Sequence, residues 1–101
     1  MNLSDPSLFR QQCFIDGQWV DADSGKTMEI INPANGELIG TMPNAGAAET
    51  RRAIEAADSA WPAWRKHTAK ERAGLIRAWH DLILSNADDL AMLMTLEQGK
   101  P

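Results

Sequence analysis

The single cysteine, Cys13, is the residue of this chain whose type could supply a strong nucleophile. A thiol becomes reactive when a neighbouring base, cation or helix N-terminus stabilises its thiolate form. No histidine or lysine lies near Cys13 in the sequence, and the residues after it have the character of a strand. We therefore interpret Cys13 as a small apolar side chain and not as a nucleophile.

The stretch Ser24–Thr27 ends like a phosphate-binding loop, in which backbone N–H groups and a lysine bind phosphate. The complete pattern requires a glycine five residues before Gly25, and Val20 stands at that position. A helix must also follow such a loop, whereas strand-like residues follow Thr27. The sequence therefore predicts a turn between strands here and no nucleotide site.

The two histidines and one pair of tryptophans are further candidates for ligand binding. His67 and His80 have no cysteine and no cluster of acids near them, so we predict no metal site from them. Trp61 and Trp64 are three residues apart beside an apolar helical stripe, which favours packing in a core over a ligand platform.

The composition limits the classes of protein to be considered. The 101 residues are 44% hydrophobic and carry a net charge of −4, which suits one small globular domain and disfavours nucleic-acid binding. No apolar run approaches the roughly 20 residues that span a bilayer. The first residues contain Asp5 and Arg10, unlike a signal peptide. We predict a cytoplasmic protein that binds no membrane, with a flexible N-terminal segment at residues 1–12.

The first half of the chain has the pattern of strands and turns, because glycine and proline separate short runs rich in isoleucine, valine and tryptophan. Asp16-Gly17 predicts a hairpin over residues 14–20. Asn35-Gly36 predicts a second turn, which joins strands at 27–32 and 37–42. We expect a small antiparallel β unit of up to four strands within about residues 14–42.

The second half has helical spacing, and three helices are predicted over about residues 47–61, 69–85 and 87–98. Pro62 is expected to end the first helix or to start a short turn. Thr68 and Glu71 form a capping box that begins the second, and Asn86 begins the third. Gly99 is expected to end the third helix. The predicted fold class is α+β.

The apolar residues exceed what so short a chain can bury. We expect the second helix to turn four large side chains inward, namely Leu75, Trp79, Leu82 and Ile83. A chain of this length buries only about two-thirds of its surface. Much of the apolar surface is therefore expected to contact a partner domain, and the isolated chain is expected to be weakly stable or to self-associate.

Two strings carry a resemblance to an enzyme family. The first runs from Ile31 to Gly40 and reads INPANGELIG, and the second runs from Thr95 to Pro101 and reads TLEQGKP. Residues 14–19, 61–64 and 68–72 extend the similarity in the same order. The chain resembles the N-terminal region of NAD(P)-dependent aldehyde dehydrogenases, and most closely the succinate-semialdehyde dehydrogenase branch.

The resemblance implies that residues 1–101 are the leading, incomplete portion of a cofactor-binding domain within an α/β Rossmann-type fold. It implies oxidation of succinate semialdehyde to succinate with NAD or NADP, in an intact protein that forms a homo-oligomer. The family's nucleophile, general base, oxyanion asparagine and cofactor glycines are expected beyond Pro101. This chain alone is therefore expected to contain no catalytic or cofactor-binding residue, to bind no cofactor and to be inactive.

The resemblance also suggests a cation site. The string Glu97–Lys100 looks like the family's general-base motif, but its spacing and context match the earlier family string instead. The helix dipole disfavours an acid in a last helical turn unless something such as a cation compensates. Some family members hold a monovalent cation near this acid and the carbonyls of the strand that corresponds to Ile30 and Ile31. We therefore predict a monovalent cation site at Glu97 and Ile31.

One alternative remains open for the function. The chain could be a non-catalytic interaction module that docks on a full-length subunit through its apolar face. A module of this kind should be soluble alone and bind the intact enzyme, whereas a fragment should aggregate or melt without cooperativity.

Overall fold

A computed structural model describes residues 1–101 as two β-hairpins followed by three α-helices. A short 3₁₀ helix at Pro6–Leu8 precedes them. The strands are β1 (Cys13–Ile15), β2 (Gln18–Val20), β3 (Thr27–Ile31) and β4 (Leu38–Pro43), and the helices are α1 (Ala47–Lys66), α2 (Ala69–Ser85) and α3 (Ala87–Gln98). The predicted α+β class is confirmed. None of the helices is long and apolar enough to span a membrane.

The strands form two separate hairpins and not one continuous unit. β1 pairs with β2 through Asp16 and Gly17, which both have positive φ, at 51° and 72°, as a type I′ turn requires. β3 pairs with β4 through the turn at Asn35-Gly36. Both predicted turns are therefore confirmed. The predicted antiparallel strands are present, four in number, and they form two hairpins because no hydrogen-bonded ladder joins β2 to β3.

Helix α1 continues past the proline that was expected to end it. It runs to Lys66 with Pro62 inside. A proline inside a helix removes one helical hydrogen bond and crowds the preceding turn, but its fixed φ is compatible with a helix and α1 continues through it. The helix ends where His67 adopts an extended backbone with ψ 143°, because Thr68 then caps α2. The predicted boundary at residue 61 was wrong for this reason.

The caps of α2 and the end of α3 follow the sequence closely. Thr68 Oγ1 accepts the backbone N–H of Glu71 at 3.1 Å, and the Glu71 carboxylate accepts that of Thr68 at 2.8 Å. Gly99 has φ 78° and donates its N–H to the carbonyl of Thr95, which closes α3. Asn86 precedes α3 as predicted, but its side chain donates to Leu82 of α2 instead of capping α3.

Very little of this chain forms a core of its own. Four residues are buried, namely Ala22, Pro43, Glu49 and Asp89, and two of these are acids. Trp61 is 52% exposed and Trp64 only half-buried, so the expected packing of this pair in a core is absent. The α2 side chains expected to face inward are also exposed, because no segment of this chain lies over them: Leu75, Trp79, Leu82 and Ile83.

The N-terminal residues follow a defined path across the fold. The backbone N–H groups of Ser4 and Asp5 donate to the Asp89 carboxylate of α3, and Gln11 accepts the N–H of Thr41 in β4. No local sequence pattern predicted these contacts. The flexibility of residues 1–12 in solution stays a prediction.

Candidate functional site

The residues singled out for chemistry lie apart from one another. Cys13 is the first residue of β1 and is half-buried, with no base or metal ligand beside it. His67 lies between α1 and α2, with Nδ1 3.3 Å from the Glu71 carboxylate, and His80 lies on the exposed side of α2 with Nδ1 3.2 Å from Asp81. No three side chains among histidine, cysteine, aspartate and glutamate group together as metal ligands.

The two elements of the predicted cation site end near each other. Glu97 lies in the last turn of α3, and Ile31 is the last residue of β3. Pro33, two residues beyond Ile31, lies so close to Gly99 that a Cβ on this glycine would be 3.0 Å from the proline Cγ. The fold thus places the end of α3 beside the turn after β3. The cation site at Glu97 and Ile31 stays a prediction.

Three charged residues instead form the most closely bonded polar cluster, at the start of α1. The buried Glu49 carboxylate accepts the backbone N–H of Asp23 at 2.6 Å and that of Gly46 at 2.9 Å. Arg52, one turn along, forms a bidentate pair with Asp23, both distances being 2.8 Å. The cluster attaches the loop between β2 and β3 to α1.

The hydrogen bonds of this cluster favour its charged forms. The backbone N–H groups of Asp23 and Gly46 hold the pKa of Glu49 below its ordinary value of 4.5, although burial opposes this. The Arg52 guanidinium likewise holds the pKa of Asp23 below 3.8. These hydrogen-bond donors hold both acids as carboxylates. We therefore interpret the cluster as structural and not as a general acid–base pair.

An open cleft of about 400 Å³ adjoins this cluster, between the β1–β2 hairpin and α1. Its lining mixes apolar and polar side chains, namely Ile15, Asp16, Gln18, Val20, Arg52, Glu55, Ala56 and Ser59. Its lining contains no cysteine or histidine. The cleft therefore offers binding surface without a catalytic group.

The helix N-termini bear on cofactor binding, because dinucleotide phosphates bind at such ends. In each of the three helices an acid occupies the third position. In α1 and α2 its carboxylate accepts a backbone N–H at the start of the helix, and in α3 it accepts backbone N–H groups of the N-terminal segment. These acids are Glu49 in α1, Glu71 in α2 and Asp89 in α3. A carboxylate at that position repels a phosphate. The absence of cofactor-binding residues from this chain stays a prediction.

Comparison with known proteins decides the family. Residues 19–101 match the model of the aldehyde dehydrogenase family. The chain belongs to the aldehyde dehydrogenase family. The resemblance carried by the strings at 31–40 and 95–101 is thereby confirmed, and with it the assignment to an oxidoreductase family.

Individual aldehyde dehydrogenases are similar along the whole chain. Glutarate-semialdehyde dehydrogenase of Pseudomonas aeruginosa is 65% identical over 101 residues, which are all of this chain and 21% of that protein. The NADP⁺-dependent succinate-semialdehyde dehydrogenase of Escherichia coli is 56% identical, with the same shares covered. The crystal structure of succinate-semialdehyde dehydrogenase from Burkholderia pseudomallei is 56% identical, with a TM-score of 0.97 over 100% of this chain and 21% of that one.

These comparisons place the fold within a larger one. The chain spans about a fifth of the length of the relatives it matches. Two hairpins followed by three helices are therefore a segment of the aldehyde dehydrogenase fold, which is of Rossmann type. The structural acids Glu49 and Asp89 are what sequence reasoning missed. An acid in the first turn of a helix was the one available signal, and it does not tell which segment the acid will bind.

Proposed function

We propose that this chain is the N-terminal part of an NAD(P)-dependent dehydrogenase that oxidises succinate semialdehyde to succinate. The observation that carries the proposal is the 56% identity over the whole chain to an enzyme named for that substrate and for NADP⁺. The 65% identity to a glutarate-semialdehyde dehydrogenase favours one second candidate, the semialdehyde with one more carbon. Both substrates carry an aldehyde at one end and a carboxylate at the other.

Within that enzyme we assign residues 1–101 a structural role. The chain offers no nucleophile with a base beside it, and its helix N-termini are filled by carboxylates. The nucleophile, the general base and the groups that bind NAD(P) are accordingly placed outside this chain. The cytoplasmic location and the homo-oligomeric state of the intact enzyme are parts of the same proposal.

The remainder of the dehydrogenase fold is the proposed partner of this segment, and it would cover one side of α2. Four apolar residues on that side recur at steps of three and four, so they share one face, which we name the α2 apolar face: Leu75, Trp79, Leu82 and Ile83. Their exposed fractions run from 43% to 64%. Burying a side chain of this size contributes about 1.5–3 kcal/mol, so covering the face is strongly favourable.

A hybrid enzyme tests the structural role. Residues 1–101 of this chain would replace the corresponding fifth of the Pseudomonas aeruginosa relative. We expect a soluble oligomer that reduces NAD(P)⁺ with the relative's substrate at a rate within about tenfold of the parent. A folded but inactive hybrid, or one that aggregates while the parent does not, would contradict the role proposed here.

The substrate and the alternative function need the protein from its native source. An antibody against residues 1–101 would isolate it for intact-mass measurement and for assays with succinate semialdehyde and glutarate semialdehyde. A mass several times 11.1 kDa together with turnover of succinate semialdehyde is the expected result. Preference for the longer substrate would favour the second candidate. A mass of 11.1 kDa with a full-length subunit co-purifying would instead support the non-catalytic docking module.

A further inference from the structure

The N-terminal segment has an anchor at each of its ends. In the first anchor, the Asp89 carboxylate accepts two successive backbone N–H groups, from Ser4 at 2.9 Å and from Asp5 at 2.8 Å. Asp89 is only 7% exposed, and it lies in the first turn of α3, where the helix dipole favours a negative charge. A charged acceptor shielded from water makes these hydrogen bonds stronger than neutral ones.

The second anchor lies on β4, in the other part of the fold. The side-chain oxygen of Gln11 accepts the backbone N–H of Thr41 at 2.9 Å. Gly40 makes room for this contact, since a Cβ there would be 2.6 Å from Gln11 Oε1 and 2.7 Å from Phe9 Cζ. The ladder is irregular at the same point, where Ile30 pairs with Gly40 and Ile31 with Leu38. The backbone of β4 at Gly40 therefore leaves space for Phe9 and Gln11 of the N-terminal segment.

The residues between the anchors are themselves held by local hydrogen bonds. Pro6 begins the 3₁₀ helix, and Asp5 caps it by accepting the backbone N–H of Ser7 at 2.9 Å and its hydroxyl at 2.6 Å. The backbone N–H of Leu8 donates to Asp5, and that of Phe9 to Pro6. A segment ordered in its middle transmits position from one end to the other, whereas a flexible linker would not.

We propose that residues 4–11 are a rigid tether that fixes α3 against the β3–β4 hairpin, with Asp89 as its anchoring residue. Helix α3 then meets the hairpin at two places, through the tether at its first turn and through Gly99 against Pro33 at its end. Two separated attachments define the orientation of a helix, which one contact alone would leave free to swing.

A rigid tether predicts coupling between its two anchors, which two independent contacts would not show. Breaking one anchor should loosen the other, and the coupling factor should be the same in both directions, because coupling free energies are reciprocal. The variants Asp89→Ala and Gln11→Ala each remove one anchor. Matched controls are Asp88→Ala, the neighbouring exposed acid of α3, and Gln12→Ala, whose side chain bonds to Asp21 instead.

Amide hydrogen exchange of Ser4, Asp5 and Thr41 would be measured in the full 101-residue chain and in the hybrid enzyme. We expect Asp89→Ala to speed exchange at Ser4 and Asp5 by about tenfold or more. We also expect about fivefold faster exchange at Thr41, and Gln11→Ala should have the same distant effect on Ser4 and Asp5. Neither control should change any of the three amides by more than about twofold.

Two other outcomes would each contradict the proposed tether. If each variant loosens only its own anchor, the two contacts are independent. If the unaltered proteins protect the helical amides of α1 and α2 but not these three amides, the segment is not anchored at all. Asp89→Asn retains one acceptor oxygen and should fall between the wild type and Asp89→Ala. Activity of the unaltered hybrid tests the proposed function separately, because the exchange result does not depend on turnover.

Discussion

The carboxylate of Glu49 accepts the backbone N–H of Asp23 at 2.6 Å, across 26 positions of the sequence. Asp89 does the same for Ser4 and Asp5 across more than 80 positions. Both acids lie at the third position of a helix, and both are buried. The chain therefore uses one arrangement twice: the free N-terminal end of a helix places a carboxylate, and the carboxylate binds the backbone of a distant segment.

Low pH should weaken the attachment of the loop between β2 and β3 to α1 through Glu49. Its pKa lies below 4.5 in the folded chain, so the ionised form stabilises the fold at any pH above 4.5. That contribution is lost as the pH falls from 4.5 through the lower folded pKa, and the pKa of Asp23, held below 3.8, acts in the same direction. Glu49→Gln should therefore reduce the drop in melting temperature of the hybrid between pH 7 and pH 3. Glu55→Gln, an exposed acid of the same helix, is the control and should leave the drop unchanged.

The cap of α2 should depend on the Thr68 hydroxyl. Thr68→Ala removes the acceptor for the N–H of Glu71, and loss of such a cap costs about 0.5–2 kcal/mol. Exchange of the amides in the first turn of α2 should become about two- to thirtyfold faster. Thr68→Ser keeps the hydroxyl and should exchange like the wild type. Equal exchange in both variants would show that the capping box does not hold the helix start.

A substitution in the α2 apolar face should reduce stability only when the rest of the enzyme is present. Leu82 is 63% exposed in this chain, so Leu82→Ala should leave the helix content of the isolated chain, measured by circular dichroism, essentially unchanged. In the hybrid, where we propose that the face is covered, the same substitution should cost about 2–5 kcal/mol and shorten the half-life during heat inactivation. Similar small effects in both proteins would contradict the proposed coverage.

Gly74 offers a probe of how closely the partner approaches α2. A Cβ at this position has no atom of the chain within 4 Å, and glycine inside a helix costs about 1 kcal/mol relative to alanine. Gly74→Ala should therefore raise the helix content of the isolated chain, measured by circular dichroism. If the hybrid gains stability as well, the neighbouring domain leaves space at this position. Loss of activity in the hybrid would show that the backbone of α2 is in close contact there.

Local features of the fold were predictable from the sequence. The turns at Asp16-Gly17 and Asn35-Gly36, the capping box at Thr68 and the helix end at Gly99 all depend on residues a few positions apart. Backbone preferences and short-range hydrogen bonds decide such features, so they are the same whatever the rest of the protein does. The family strings belong to the same local level, and they were sufficient to identify the family.

Relations between distant segments were decided only by the tertiary structure. Helix α1 continues through Pro62 to Lys66, although proline removes one helical hydrogen bond and is the local signal for a helix end. Asp89 binds Ser4 because the fold brings the start of α3 to the N-terminal segment, a pairing that no local pattern marks. Trp79 and Leu82 show helical spacing in the sequence, which predicts one apolar face but not what covers it. A side chain is buried only where a second surface covers it, and no segment of this chain covers the α2 apolar face.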